Sequence, residues 1–263
     1  MASPTQYDPI ATQYTSYTTV PDMQLEISLV RTALTPCASL TVLDLGGGSG
    51  LHARTAVELG ASRVDVVDIS PEMLLAGQNI EQSLHRSPGN NNNSPPVIRY
   101  IHADATKPLS PQGINQKYDV VMANWLLDHA TSLDDLRAMW GNIASALKPG
   151  GRFVGVRVRC LRAGYLTQGK YGVVFSDYEP IPGPGWRYKV SFQLDGVPVT
   201  FEATSMEATL GLDHAIPEGL GLGGWEVVPL GEDPVVRGDG EYWADHVREP
   251  SFVVVVGRKL SES

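Results

Sequence analysis

The sequence predicts an α/β fold, a mostly parallel sheet with helices on both faces, and three features carry that reading. Short apolar runs of strand length alternate with segments whose apolar residues recur at helical spacing. One such run, Val42-Leu43-Asp44-Leu45, ends in the glycines 46, 47, 48 and 50, and a helix-like run from Leu51 to Leu59 follows. Further along, a helical segment ends in Lys148-Pro149-Gly150-Gly151 and turns directly into an apolar strand. Glycine lets a strand-to-helix turn take positive φ and lets backbone approach a ligand closely. The start of the helix adds free N–H groups and a positive dipole end at the same place.

The elements follow in order. Residues 1–20 are rich in Tyr, Thr and Pro and read either as an irregular leader or as a lid over a bound ligand. Pro21 suits a first helical position, Met23, Ile27, Val30 and Leu34 continue at helical spacing, and Pro36 ends the run. Thr41–Leu45 is the first strand, and the helix after the glycine loop stops at Gly60. Arg63–Asp68 is the second strand, Val97–His102 the third and Tyr118–Ala123 the fourth. The Asn- and Pro-rich tract 85–96 between them is a low-complexity surface loop. Ser132 with Asp135 forms a capping-box start, and Leu133, Leu136, Trp140, Ile143 and Leu147 give that helix a buried face. Phe153–Val158 is the fifth strand.

Residues 159–204 interrupt the pattern. Tyr188, Val190, Phe192 and Leu194 alternate, Asp195-Gly196 is a two-residue turn signal, and Val197, Val199 and Phe201 resume the alternation, so a β-hairpin is predicted. A rigid Pro/Gly loop over 180–185 and the aromatics Tyr165, Tyr171, Phe175, Tyr178 and Trp186 precede or flank it. Thr204 with Glu207 suits a helix start running to about His214, and Trp225–Leu230 and Phe252–Arg258 read as the last two strands.

Composition narrows the function. The net charge of −9 and the lack of any Lys/Arg run argue against a nucleic-acid partner and against an anionic membrane surface. The two cysteines, Cys37 and Cys160, have neither metal nor disulfide-framework spacing, which suits a reducing compartment. The first 17 residues lack an apolar signal core, and no run of about 18 apolar residues exists. The expectation is a soluble cytoplasmic protein of one domain: an N-terminal lid and helix over 1–36, a ligand-binding core over 37–158, the aromatic insertion over 159–204, and a helix with two strands over 205–263.

A dinucleotide fingerprint needs glycine at positions 46, 48 and 51, and position 51 is Leu. Asp44-x-Gly46-x-Gly48-x-Gly50 instead resembles the first motif of class I S-adenosylmethionine-dependent methyltransferases. The helix–Lys-Pro-Gly-Gly–strand sequence resembles another hallmark of that family, and Tyr7-Asp8-x-Ile10-Ala11-x-x-Tyr14 resembles the N-terminal lid of its small-molecule members. The resemblance implies a Rossmann-like seven-stranded sheet of order 3-2-1-4-5-7-6 with the last strand antiparallel. It implies S-adenosylmethionine as cofactor and S-adenosylhomocysteine as product. It places Tyr14, Asp44, Gly46, Gly48 and Gly50 at the amino-acid end of the cofactor and Asp68, with Ile69, at the ribose. Met73 lies near the adenine or in the core. Asp104 and Ala105 meet the adenine amine, although Asp104 also suits a plain turn. Asn124 and Trp125 fall beside the reactive methyl.

His129 is then the titratable side chain best placed to meet the acceptor, either as a base or as a shaper of the pocket. His214 and Asp128 are weaker candidates. Tyr7, Tyr171 and Trp186 are candidate substrate contacts, the last two from the insertion. In this family such an insertion forms a roof over the acceptor. A dimer contact or a sheet extension is its other use, so oligomerisation through the hairpin stays open. No metal constellation is present, and none is expected to be needed. The expected activity is methyl transfer to a small, largely apolar metabolite, a natural-product intermediate of secondary metabolism. The alternatives are a cofactor-binding cyclase or pericyclase on the same fold and a non-catalytic partner protein.

Overall fold

The computed structural model describes residues 5–11, 17–84, 97–194, 197–210 and 212–261. The tract 85–96, the Asp195-Gly196 turn and Tyr14 lie outside the described residues.

A seven-stranded sheet carries the fold. Its strands are β1 (Thr41–Leu45), β2 (Arg63–Asp68), β3 (Ile98–His102), β4 (Tyr118–Met122), β5 (Leu147–Val158), β9 (Leu222–Val227) and β10 (Phe252–Lys259). The spatial order is β3-β2-β1-β4-β5-β10-β9, which is the expected 3-2-1-4-5-7-6 once the insertion strands are left out of the count. β1 pairs in parallel with β2 on one side and β4 on the other. β10 runs antiparallel between β5 and β9.

The strands read as continuous apolar runs because both faces are covered. Side chains alternate across the sheet, so Val42, Val64 and Val66 join one core and Leu43, Leu45 and Val67 the other. On the first face, helix α1 (Pro21–Leu34) contributes Leu25, Leu29, Val30 and Leu34, beside α2 (Leu51–Glu58) and α3 (Pro71–Ser83). On the other face, α4 (Leu133–Ala146) buries Leu136, Trp140 and Ile143. Ser132 caps α4 by accepting from the Asp135 N–H at 3.1 Å. The Asp135 carboxylate returns to Thr131 instead of Ser132, so the box closes one residue early.

The insertion differs from expectation. A short helix α5 (Gly164–Gln168) leads into a three-stranded antiparallel sheet of β6 (Val173–Pro180), β7 (Gly185–Leu194) and β8 (Val197–Met206). The hairpin β7–β8 is the predicted one, and β6 is additional. Thr204 belongs to β8, where its hydroxyl donates to the Ala130 carbonyl, and does not cap a helix. The helix expected over 204–214 is two single turns, α6 (Glu207–Leu210) and α7 (Ala215–Gly219), with Pro217 inside the second. β9 starts three residues before the predicted strand, and two short helices, α8 (Pro234–Gly238) and α9 (Ala244–Arg248), fill the segment before β10. Among the described residues no helix is long and apolar enough to cross a membrane.

Away from the cavity, Asp65 on β2 ties three parallel strands together. Its carboxylate is fully buried and accepts from Arg63, Arg99, Gln116 and the Tyr118 hydroxyl. The two guanidinium groups are about 40% exposed, so the pairs are weaker than fully buried ones. Asp65→Ala strands the Tyr118 hydroxyl and Gln116 amide. It is expected to cost about 2–3 kcal/mol, read as a fall of roughly 4–10 °C in melting temperature by calorimetry.

Candidate active site

A cavity of about 320 Å³ opens beyond the carboxyl ends of β1, β2, β3 and β4, where ligands bind in open α/β sheets. Its floor is the glycine loop. The N–H groups of Gly46 and Gly47 donate to the Val67 carbonyl at 2.8 and 3.2 Å, which fastens the end of β1 to β2. The loop then folds across Asp44. A Cβ at position 47 would lie 2.6 Å from Asp44 Cγ, so only glycine permits that path. Gly50, with φ of +81°, turns the chain into α2.

Asp44 is 1% exposed and neither carboxylate oxygen has a hydrogen-bond partner among the described residues. Burial pushes its pKa up to about 6, with His52 opposing and Asp68 adding to the shift. Asp68, at the end of β2, accepts from the Gly48 N–H and the Ser70 N–H, both at 2.8 Å, and burial raises it as well. Its role as a turn residue and its position on the cavity wall therefore coexist. Ile69 is 49% exposed on the same wall, and Met73 is buried against Gly48. Asp104 and Ala105 line the far end, where Asp104 Oδ1 accepts from the N–H and hydroxyl of Thr106.

After β4 the chain enters the cavity as Asn124, Trp125, Asp128 and His129. Asn124 Oδ1 accepts from the Val156 N–H at 3.2 Å, while its Nδ2 is buried without a partner. Trp125 takes the left-handed conformation at φ of +61°, and its indole N–H donates to Glu26 Oε2 at 2.8 Å. Glu26 Oε1 lies 2.8 Å from His52 Nε2. Asp128 accepts from the Ser205 hydroxyl at 2.7 Å and the Val158 N–H at 3.2 Å, and burial pushes it up to about 6. His129 Nε2 lies 3.0 Å from the Tyr7 hydroxyl, and burial pushes the imidazole down to about 4.

The three-stranded sheet covers this end of the cavity with Phe175, Tyr188, Val190, Phe192 and Phe201. The N-terminal segment bridges the two sides. Tyr7 packs against Phe201, Gln6 exchanges hydrogen bonds with the Glu202 backbone, and Asp8 accepts from the Ser70 hydroxyl at 2.6 Å.

Two expected contacts are corrected. Tyr171 does not line the cavity: it is 2% exposed, stacked on Trp243 with centroids 4.6 Å apart, and its hydroxyl donates to the Tyr242 carbonyl. Trp186 shares a β7 face with Tyr188 and Val190 but lies beyond the cavity, under the Arg162 guanidinium 4.8 Å away. His214 is also elsewhere, stacked on Trp225. Glu26, Asp22 and His52 line the cavity without having been singled out from the sequence. Asp22 and Glu26 share the stripe of α1 that continues through Val30, and acids inside an apolar stripe were the signal. Among the described residues no three His, Cys, Asp or Glu side chains group as a metal site.

Residues 43–153 match the family model of a methyltransferase domain. This chain is a class I methyltransferase by domain family and by fold. The ribosomal protein L11 methyltransferase of Burkholderia mallei is 36% identical over 112 residues, 43% of this chain and 30% of its own length. The ribosomal RNA large subunit methyltransferase E of Archaeoglobus fulgidus is 34% identical over 124 residues, 43% of this chain and 54% of its own. The match thus spans only about a third to a half of those relatives. The CcbJ methyltransferase of Streptomyces caelestis has the same fold over 97% of both chains, at a TM-score of 0.58 and 19% identity. A methyltransferase of Mesorhizobium loti covers 89% of this chain and 97% of its own, at 0.56 and 21%.

The buried His129 gives a test in solution. Its folded pKa lies below the ordinary value of 6.5, so the unfolded chain binds more protons between pH 6.5 and 4. Stability from this group is therefore complete above pH 6.5 and lost as pH falls through that window. Relative to His129→Asn, the parent protein is expected to lose up to about 1.4 kcal/mol per pH unit there in urea titrations. Parallel curves would show that His129 titrates as it does in the unfolded chain.

Proposed function

We propose that the protein is an S-adenosylmethionine-dependent methyltransferase acting on a small molecule with a largely apolar body. The observation that supports this most is the bare Asp44 carboxylate under the glycine loop. An ionised, buried carboxylate without a partner is costly, and an ammonium group is the ligand chemistry that removes the cost. The cofactor's amino-acid end carries one. The residues around it suit the remainder: Asp68 for the ribose hydroxyls, Ile69 and Met73 as apolar walls for the adenine, and Asp104 with Ala105 at its amine edge.

When bound, the cofactor supplies an electrophilic methyl on sulfur. The work left to the protein is to hold an acceptor in line and to exclude water. Asn124 and Trp125 stand where the chain enters the acceptor side, and the hydrogen bond to Glu26 fixes the indole. The roof and Tyr7 keep the chamber dry. His129 closes against Tyr7 and shapes the chamber. Its low pKa and its engaged Nε2 suit that role better than proton abstraction. The apolar roof and the lack of lysine or arginine on the described cavity wall support a small acceptor over a nucleic acid.

Asp68→Ala is expected to weaken S-adenosylhomocysteine binding about tenfold or more in calorimetry, and unchanged affinity would remove Asp68 from the site. Because ammonium recognition needs Asp44 ionised, affinity should fall as pH drops below about 6, up to tenfold per unit, and the fall should be absent in Asp44→Asn. With an acceptor in hand, His129→Ala and Tyr7→Phe should lower turnover by similar factors and leave cofactor affinity unchanged. A large loss in His129→Ala with none in Tyr7→Phe would make His129 the base.

A further inference from the structure

The described cavity wall carries six carboxylic acids and no lysine or arginine. Five of the six have an occupation. Asp128 is held by Ser205 and the Val158 N–H, Asp104 by Thr106, and Asp68 by the Gly48 and Ser70 N–H groups. Glu26 bridges Trp125 and His52. Asp44 lies under the glycine loop, where the cofactor reading already uses it.

Asp22 is left over. It sits in the first turn of α1 and is 9% exposed, and its Oδ1 has no hydrogen-bond partner. The nearest basic group, His246 Nδ1, is 3.8 Å away, beyond hydrogen-bond reach, and lies 3.1 Å from the Tyr165 hydroxyl. Burial pushes His246 down to about 4, so at neutral pH it supplies no positive charge. Glu26 stands one helical turn further along α1 and adds repulsion, and the two together push Asp22 up to about 8.

Asp22 also belongs to the acceptor side of the cavity. Its backbone N–H donates to the Tyr171 carbonyl, just ahead of β6. Its neighbours Val20 and Met23 pack with the roof residues Phe192 and Val199. An acid so buried and so placed is unfavourable in the empty cavity, and a cationic group on the ligand reverses the sign.

We infer that the acceptor carries a basic amine, whose ammonium seats on the Asp22 carboxylate with Glu26 behind it while its apolar body lies against Phe175, Tyr188 and Val190. This rests on the methyltransferase reading of the cavity and narrows it to amine-bearing acceptors. The same carboxylates disfavour acidic acceptors, which is specificity by repulsion as well as by attraction.

The test uses three probes of nearly equal shape: 2-phenylethylamine, 2-phenylethanol and 3-phenylpropanoate. Each is titrated by calorimetry into the whole protein saturated with S-adenosylhomocysteine. The amine is expected to bind about tenfold or more tighter than the alcohol, with the carboxylate weakest. Asp22→Asn should abolish the difference between amine and alcohol and leave S-adenosylhomocysteine affinity unchanged. An amine that binds no tighter than the alcohol, including no binding by either, overturns the inference, as does an undiminished preference in Asp22→Asn. Should that variant not fold, the comparison on the parent protein decides alone. Run without S-adenosylhomocysteine, the comparison reads the amine preference separately. Failure to bind S-adenosylhomocysteine then overturns the cofactor reading, and loss of the preference overturns this one.

Discussion

The Asp44 carboxylate, at the carboxyl end of the central strand, is the constraint about which the site is built. The chain leaves β1 by folding over it, and the missing Cβ at position 47 is what makes the path sterically open. The turned backbone then offers its N–H groups to Val67, and the next N–H, that of Gly48, to Asp68. The ends of β1 and β2 and the start of α3 are thereby locked into one floor. The arrangement leaves Asp44 dry and without a donor, a state that stores free energy in the empty cavity and returns it to a cationic ligand. Binding specificity here comes from a deliberate shortage of partners.

Glu26 does for the acceptor side what the glycine loop does for the floor. It gathers His52 from α2 and Trp125 from the segment after β4, so three elements distant in sequence meet at one buried carboxylate. Trp125 pays a steric penalty for its positive φ, and the indole bond to Glu26 is one of the contacts that hold it there. The three-stranded sheet is fastened through Ser205 to Asp128 and through Thr204 to the Ala130 carbonyl. The roof is thus joined by buried hydrogen bonds to the segment that carries Asn124 and His129. The N-terminal segment is attached more lightly, by a few part-exposed bonds to Ser70, His129 and Glu202, and bonds of that kind open at low free-energy cost.

Much of this was legible before any coordinates. The order of the main sheet, the antiparallel last strand, the glycine loop and the acids at positions 44 and 68 follow from local patterns that recur wherever a strand meets a phosphate- or nucleoside-sized ligand. The misses have a common cause. Alternation along β7 tells which face Trp186 shares with Tyr188, but it says nothing of how far along the strand the cavity extends. The β6 strand was hidden because Gly172, Asp177 and Pro180 break its alternation. Thr204 and Glu207 have capping spacing, yet the ladder with β7 outweighs a single cap because it satisfies many backbone groups at once.

The sequence by itself determined the sheet, its covering helices and the chemical identity of the ligand floor, because those rest on contacts between residues close in the chain: an acid two positions before a glycine turn, a turn before a helix, a proline at a helix start. Only the tertiary structure decided which side chains share the cavity. Tyr7 meets His129 across 122 positions and Glu26 meets Trp125 across 99. Whether Asp22 is a solvated helix-start acid or a buried, unpartnered carboxylate depends on β6 and α9 closing over it, since the free energy of a charge is set by what surrounds it and not by its neighbours in sequence.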